Sequence, residues 1–229
     1  MQVKNELYAV ITGDLVGSSE ISYNDREILL SALHESFFFV SNTLHPDDNS
    51  IPPFEISRGD SFQALFSDPE NALMASVLII LKLSLFSEAD RKLETRISIG
   101  IGSVEYLSES GSVGEADGQA FRLSGRTLES MKEQEKKLMI TSSNPALNLI
   151  LESQCAFFDN IATRWTKIQK QFLLEKLTGR TQSEIALKYG KSQSTISQSL
   201  KAAGFDSLKK FLDNYTNLFE HPGIFVMSD

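Results

Sequence analysis

The chain is poor in the residues that would staple it, dock a metal or send it through a membrane. Of its 229 residues, one is cysteine and three are histidine. Cys155 alone excludes an intrachain disulfide and any multi-cysteine zinc site. His34, His45 and His221 have no metal-ligand spacing. No Gly-x-Ser-x-Gly elbow or Cys/His signature supports a hydrolase triad, and Gly100-Ile101-Gly102 opens no helix, so it is no dinucleotide fingerprint. The N-terminus has no basic region followed by a cleavage site, and the longest apolar stretch, Ala72 to Phe86, is broken by Ser76, Lys82 and Ser84. We therefore expect a cytoplasmic protein with no membrane partner. There is no internal repeat and no low-complexity tract.

The composition, 41% apolar and 23% charged, is that of an ordinary globular protein. Its charge is unevenly placed. Residues 1 to 150 hold 12 basic against 22 acidic side chains, whereas residues 160 to 211 hold 10 against 3. The two stretches carry −10 and +7, and such asymmetry points to a nucleic-acid-binding segment in the second.

Tyr8 to Thr12 reads as a buried strand ending near Asp14, followed by the polar run Gly17-Ser18-Ser19. Residues 24 to 43 read as a helix with Leu29, Leu30, Leu33, Phe37 and Val40 on one face. Phe54 and Ile56, then Phe62, Ala64 and Phe66, alternate with Glu55, Ser57, Gln63 and Leu65 around a hairpin at Arg58-Gly59-Asp60-Ser61. Asp68-Pro69 starts a helix running to about Phe86. In the strand from Arg96, Gly100 and Gly102 leave one face open to close approach. A helix from Gln119 to about Glu135 and a strand from Lys137 to Thr141 close this part.

The order strand, helix, strand, strand, helix, strand is the split β-α-β plan with one helix and strand appended. It predicts an α+β, ferredoxin-like, antiparallel-rich sheet with helices on one face, in residues 1 to 150. Asp14 and Asp60 would then meet at one end of the sheet. Two carboxylates there can share a Mg²⁺ ion, and the loop after Asp14 offers backbone N–H groups to phosphates. The plainer roles are a turn residue for Asp60 and a helix cap for Asp14.

Residues 151 to 229 read as a small all-α domain. Trp165, Ile168, Phe172 and Leu177 form an apolar stripe, and Thr181 with Glu184 makes a capping box. Ala186, Gly190 and Ile196 have the spacing of a helix-turn-helix: a small residue for close packing, glycine for the left-handed turn, an apolar anchor for the second helix. Ile196, Leu200 and Ala203 would be buried. Gln193, Ser194, Thr195, Ser197, Gln198 and Lys201 would face a DNA major groove, with Arg180, Lys188 and Lys191 along the phosphates. The alternative is a helical bundle serving dimerisation or docking to the first part.

Gly13-Asp14-Leu15-Val16-Gly17-Ser18, Gly59-Asp60-Ser61-Phe62, Arg96 to Gly102 and Gly118 to Arg126 follow one another as in class III nucleotidyl cyclase domains, which residues 7 to 145 resemble. The whole chain is similar to the SatD family, and its last part resembles the helix-turn-helix of sigma factors and response regulators. The cyclase resemblance implies that Asp14 and Asp60 hold Mg²⁺ or Mn²⁺, that Leu15, Val16, Gly17, Ser18 and Ser19 lie under the phosphates, that Glu115 reads the base and that Arg126 stabilises the transition state. It also implies a homodimer, since such sites form between two domains. Arg122 stands where those enzymes carry an asparagine, and Ile56 where they carry a purine-reading lysine. The resulting expectation is a DNA-binding transcriptional regulator whose cyclase-like part binds a nucleotide with Mg²⁺; the alternative is an active nucleotidyl cyclase or nucleotidyltransferase.

Overall fold

The computed structural model describes residues 7–17, 23–44, 54–57, 60–88, 91–107, 112–134 and 136–225. The expectations for Ser18, Ser19, Arg58, Gly59 and His45 fall outside them. The first strand, β1 (Tyr8–Leu15), is followed by α1 (Tyr23–Leu44), the hairpin β2 (Glu55–Ser57) and β3 (Ser61–Phe66), and a 3-10 turn Pro69–Asn71 leading into α2 (Ala72–Leu85). Next come a small ribbon of β4 (Ser87–Glu88) and β5 (Arg91–Lys92), then β6 (Thr95–Gly102), α3 (Gln119–Lys132) and β7 (Leu138–Thr141). The main sheet has the order β2-β3-β1-β6-β7, with β7 parallel to β6 and every other pair antiparallel. β1 thus lies between β3 and β6, as the split β-α-β order requires.

Period-two alternation decides what each face of the sheet meets. Ala9 and Ile11 of β1, Phe62, Ala64 and Phe66 of β3, and Ile97, Ile99 and Ile101 of β6 share the face packed on α1 and α2. Val10 and Leu65 lie on the other face with Ala120 and Phe121 of α3. The expectation of helices on one face therefore holds for α1 and α2 and fails for α3. The reason is steric: a Cβ on Gly100 would stand 2.2 Å from the Ala120 carbonyl oxygen and 2.5 Å from the Ser124 nitrogen. The glycine of β6 lets the α3 backbone down onto the sheet, where the Thr12 and Ser124 hydroxyls pair at 2.8 Å.

Ten of the 14 residues of α2 are buried and none is fully exposed. A helix that is apolar all round needs partners all round. The sheet and α1 cover part of it, and the rest is covered by the C-terminal helices: α4 (Pro145–Ala162), α5 (Lys167–Leu177), α6 (Gln182–Tyr189), α7 (Gln193–Ala202) and α8 (Phe205–Leu218). α5 and α8 pack on α2, and one continuous buried cluster joins Ala9 and Leu73 to Phe172, Leu200 and Leu208. The buried Tyr215 of α8 donates its hydroxyl to the Pro69 carbonyl at 3.0 Å. Residue 150, the expected boundary, lies within α4, which starts on an Asn144 side chain accepting from the Ala146 and Leu147 amides.

Several local expectations are corrected. Asp68 makes no side-chain cap, and Pro69 opens a 3-10 turn instead of the α-helix itself. Ile168, placed on the buried stripe by its spacing, is 40% exposed, because α5 turns Phe172 and Leu173 inward. Asp14 belongs to β1 and caps no helix. Among the described residues no helix is long and apolar enough to cross a membrane.

Candidate functional site

The register of the sheet builds the end of β1. Asp14 stands opposite Ser61 of β3 on one side and Arg96 of β6 on the other. Its side chain lies on the α3 face with Val10 and Thr12. The Arg96 guanidinium meets the Asp14 carboxylate with both prongs, Nε to Oδ1 at 2.8 Å and Nη2 to Oδ2 at 3.3 Å. α3 runs along β1 toward this end, and its last residue brings Lys132 Nζ to 4.0 Å from Oδ2. Asp14 is 5% exposed, and the Thr95 hydroxyl donates to its carbonyl.

Asp60 is brought to the same end: its carbonyl accepts from the Leu15 amide at 3.1 Å. The Val16 amide donates to the Glu94 carbonyl at 2.8 Å. Two of the loop amides expected to cradle phosphates are therefore already engaged inside the protein. Gly17, exposed and in the left-handed region at φ 73°, makes the turn that follows.

A divalent ion of the Mg²⁺ or Mn²⁺ kind takes hard oxygen ligands that carry the compensating negative charge. At Asp14 both carboxylate oxygens are occupied by Arg96, with Lys132 nearby, and among the described residues no three His, Cys, Asp or Glu side chains converge. The residues as placed do not fit a resident metal: Arg96 supplies the positive charge that the ion would bring, and the ion would have to displace it.

The other residues implied by the cyclase resemblance are spread out. Arg126 is exposed on α3. Arg122, one turn earlier, is bound to Asp117, a member of the Tyr106 to Asp117 bridge, and to Glu105 beside it. Glu115 is exposed in the 3-10 turn Val113–Glu115. That turn is held by Glu55 of β2, whose carboxylate accepts from the Val113 and Gly114 amides at 2.8 and 2.7 Å. Burial pushes the Glu55 pKa up, but hydrogen bonds from the Ser112 hydroxyl and those two amides outweigh it and hold the group below its ordinary value.

In the C-terminal part the local expectations are met closely. Thr181 and Glu184 form the capping box of α6, Gly190 ends that helix in the left-handed conformation, and Ser192 caps α7. Ile185, Ala186, Ile196, Leu200 and Ala203 are buried. Gln193, Ser194, Thr195, Ser197, Gln198 and Lys201 are exposed, as are Lys191, Lys188 and Arg180. Two details depart from the expected DNA-facing array. The Ser194 and Thr195 hydroxyls turn back onto Ser192, each at 2.8 Å. Arg180 and Lys188 both pair with Glu175 of α5, at 2.7 and 2.5 Å.

The SatD family model matches residues 8–218, across both parts of the chain. The chain belongs to the SatD family. Among solved structures, this SatD-family chain is similar to the guanylyl cyclase domain of the RhoGC fusion protein from the aquatic fungus Blastocladiella emersonii, at 16% identity over 55% of this chain and 75% of that one, with a TM-score of 0.42. It is also similar to a bacterial light-regulated adenylyl cyclase, at 19% identity over 60% and 77% of the two chains (TM-score 0.39), and to the guanylyl cyclase Cya2, at 19% over 57% and 73% (TM-score 0.41). No curated protein matches it in sequence.

Sequence reasoning missed Arg96, Lys132, Glu55 and Glu175 in this SatD-family chain. Arg96, Lys132 and Glu55 act through partners far along the chain and Glu175 through the next helix, so a strand register or helix crossing has to be known before each pair can be seen. Only Arg96 left a trace, as the one charged residue in an otherwise apolar and small-residue strand after Thr95.

Proposed function

We propose that this SatD-family chain is a DNA-binding regulator that presents α7 to the major groove, and that its sheet-containing part senses a nucleotide or related anion. The observation that carries this reading is the pair α6 and α7, joined through left-handed Gly190, whose apolar residues are buried while Gln193, Ser197, Gln198 and Lys201 face outward. Glutamine can pair bidentately with adenine, and Lys191 and Lys201, which have no ion-pair partner among the described residues, suit phosphates. The local charge of +7 in an acidic chain favours the same surface.

The test is binding of the full chain to duplex DNA, first a random pool and then the sequences that it enriches, followed by fluorescence anisotropy. We expect affinity that falls steeply with salt. Lys201→Ala should weaken binding to all sequences alike and lower the salt slope by about 1, whereas Gln198→Ala should relax preference at particular positions. Binding that ignores both substitutions, or no binding at low salt, would overturn the proposal.

A second reading, a nucleotidyl cyclase or nucleotidyltransferase, is favoured by the place of Asp60 at the Asp14 end of the sheet, where its backbone carbonyl accepts from the Leu15 amide. Arg126, exposed on α3, would there offset charge on phosphoryl oxygens. Incubation with each nucleoside triphosphate and Mg²⁺ or Mn²⁺, with products read by mass spectrometry, decides it. A cyclic or linked nucleotide that disappears in Asp60→Ala would establish turnover; unchanged triphosphate would exclude it.

A further inference from the structure

A groove of about 740 Å³ lies between α1, the end of α2 and the α5–α6 pair, and Asp14 is not among its lining residues. Its volume is within the range of small-molecule sites. One wall is aromatic: Phe38 is 64% exposed, and Phe39 beside it carries Lys82 Nζ 5.2 Å above its ring. The half-buried Lys82 has no carboxylate within ion-pair distance among the described residues, and its position in the last turn of α2 suits its charge. Across the groove, Glu175, with only 12% of its side chain exposed, is shared by Arg180 and Lys188. Among the described residues Glu35 is the one other acid in the lining, so three cations there face two carboxylates.

A lysine held over an aromatic ring, with no counter-ion among the described residues and beside a second ring open to solvent, suits one chemical class. We propose that this groove binds a small anion carrying an aromatic ring, such as an aryl phosphate or aryl carboxylate. The ring stacks on Phe38, the anion neutralises Lys82, and its second oxygen competes with Glu175 for Lys188. On the DNA-binding reading above, this gives the site a regulatory role, because Glu175, Arg180 and Lys188 fix α5 against α6, the helix on which α7 is seated.

Phenyl phosphate is the probe, titrated calorimetrically into the full chain. We expect one site per chain, with affinity reduced at least tenfold in Lys82→Ala and in Phe38→Ala. Inorganic phosphate should bind at least tenfold more weakly than phenyl phosphate, and Lys209→Ala, a change at an exposed α8 residue outside the groove, should bind as the parent does. Circular dichroism of each variant separates loss of binding from loss of fold, Phe38 and Lys82 being surface or half-buried positions. The absence of binding, equal affinity in Lys82→Ala, or equal affinity for inorganic phosphate would each overturn the proposal. These outcomes are independent of the DNA-binding reading, whose failure shows in Lys201→Ala and Gln198→Ala while the phenyl phosphate titration stays as it is.

Discussion

The Asp14 carboxylate is gripped from the neighbouring strand by the Arg96 guanidinium, with Asp14 8% and Arg96 17% exposed at the side chain. Removing one member of such a pair strands the other charge in a poorly hydrated place. Arg96→Ala should therefore cost about 3 kcal/mol of stability, measured by urea unfolding. Replacing both residues together, Asp14→Ala with Arg96→Ala, should cost less than the sum of the single changes. Additive single effects would show that the two side chains do not depend on each other.

The seat of α3 on the sheet makes a second, comparative prediction. At Gly100 an added Cβ meets backbone atoms of α3, whereas at Gly102 it meets the flexible Gln119 side chain, whose Oε1 is 2.6 Å away. Backbone cannot step aside without lifting the helix; a glutamine can rotate. Gly100→Ala should cost about 3 kcal/mol and Gly102→Ala about 1 kcal/mol or less, and thermal melts of the two variants side by side would show the difference. Equal effects would mean that α3 is not seated on β6 in this way.

The contrast between these two sites shows what a sequence discloses. Alternation of Phe62, Ala64 and Phe66, the glycines of β6, the Thr181 capping box and the Gly190 turn were all legible, because each is a local relation between a residue type and its backbone. That Asp60 lies at the same end of the sheet as Asp14 was legible through the element order. Arg96 opposite Asp14 was not, since a shift of one residue in register would have placed Thr95 or Ile97 nearby. α4 was also missed, though Asn144-Pro145 is a strong helix start, because the change in charge around residue 150 drew the boundary through it. The docking of α5 and α8 on α2 follows from the all-round apolarity of Ala72–Leu85, which was read only as a helix that does not span a membrane.

Asp159 of α4 provides a pH-dependent prediction. One of its oxygens accepts from the Lys137 amide, and the other, buried, has no partner. Burial raises its pKa, and the Lys137 and Leu138 amides with the charges of Lys137 and Lys136 only partly oppose this. The folded chain therefore holds that proton more tightly than the unfolded chain, whose aspartate titrates near about 3.9. Stability from this group is greatest in acid and is lost as pH rises from about 4 through the raised folded value. Asp159→Asn does not titrate, so its stability relative to the parent should rise between pH 3.5 and pH 7 (about 3.5 to 7) in urea titrations. A constant difference across that range would show that Asp159 is not penalised by burial.

Trp165, the only tryptophan, reports on whether the sheet and the C-terminal helices unfold together. Its indole donates to the Ala203 carbonyl at 2.7 Å, and its ring meets Phe158 of α4 edge-on, so its emission follows the packing of α4, α7 and the residues between them. The continuous core through α2 makes the two parts one cooperative unit, so Trp165 fluorescence and far-ultraviolet circular dichroism should give the same urea midpoint. Tyr215→Phe tests the coupling at one atom: it removes the bond from α8 to the Pro69 carbonyl and should lower both midpoints together, by a shift corresponding to about 1 kcal/mol. Two separated midpoints, with Tyr215→Phe moving only the fluorescence transition, would instead divide the molecule near residue 150 into two units that fold on their own.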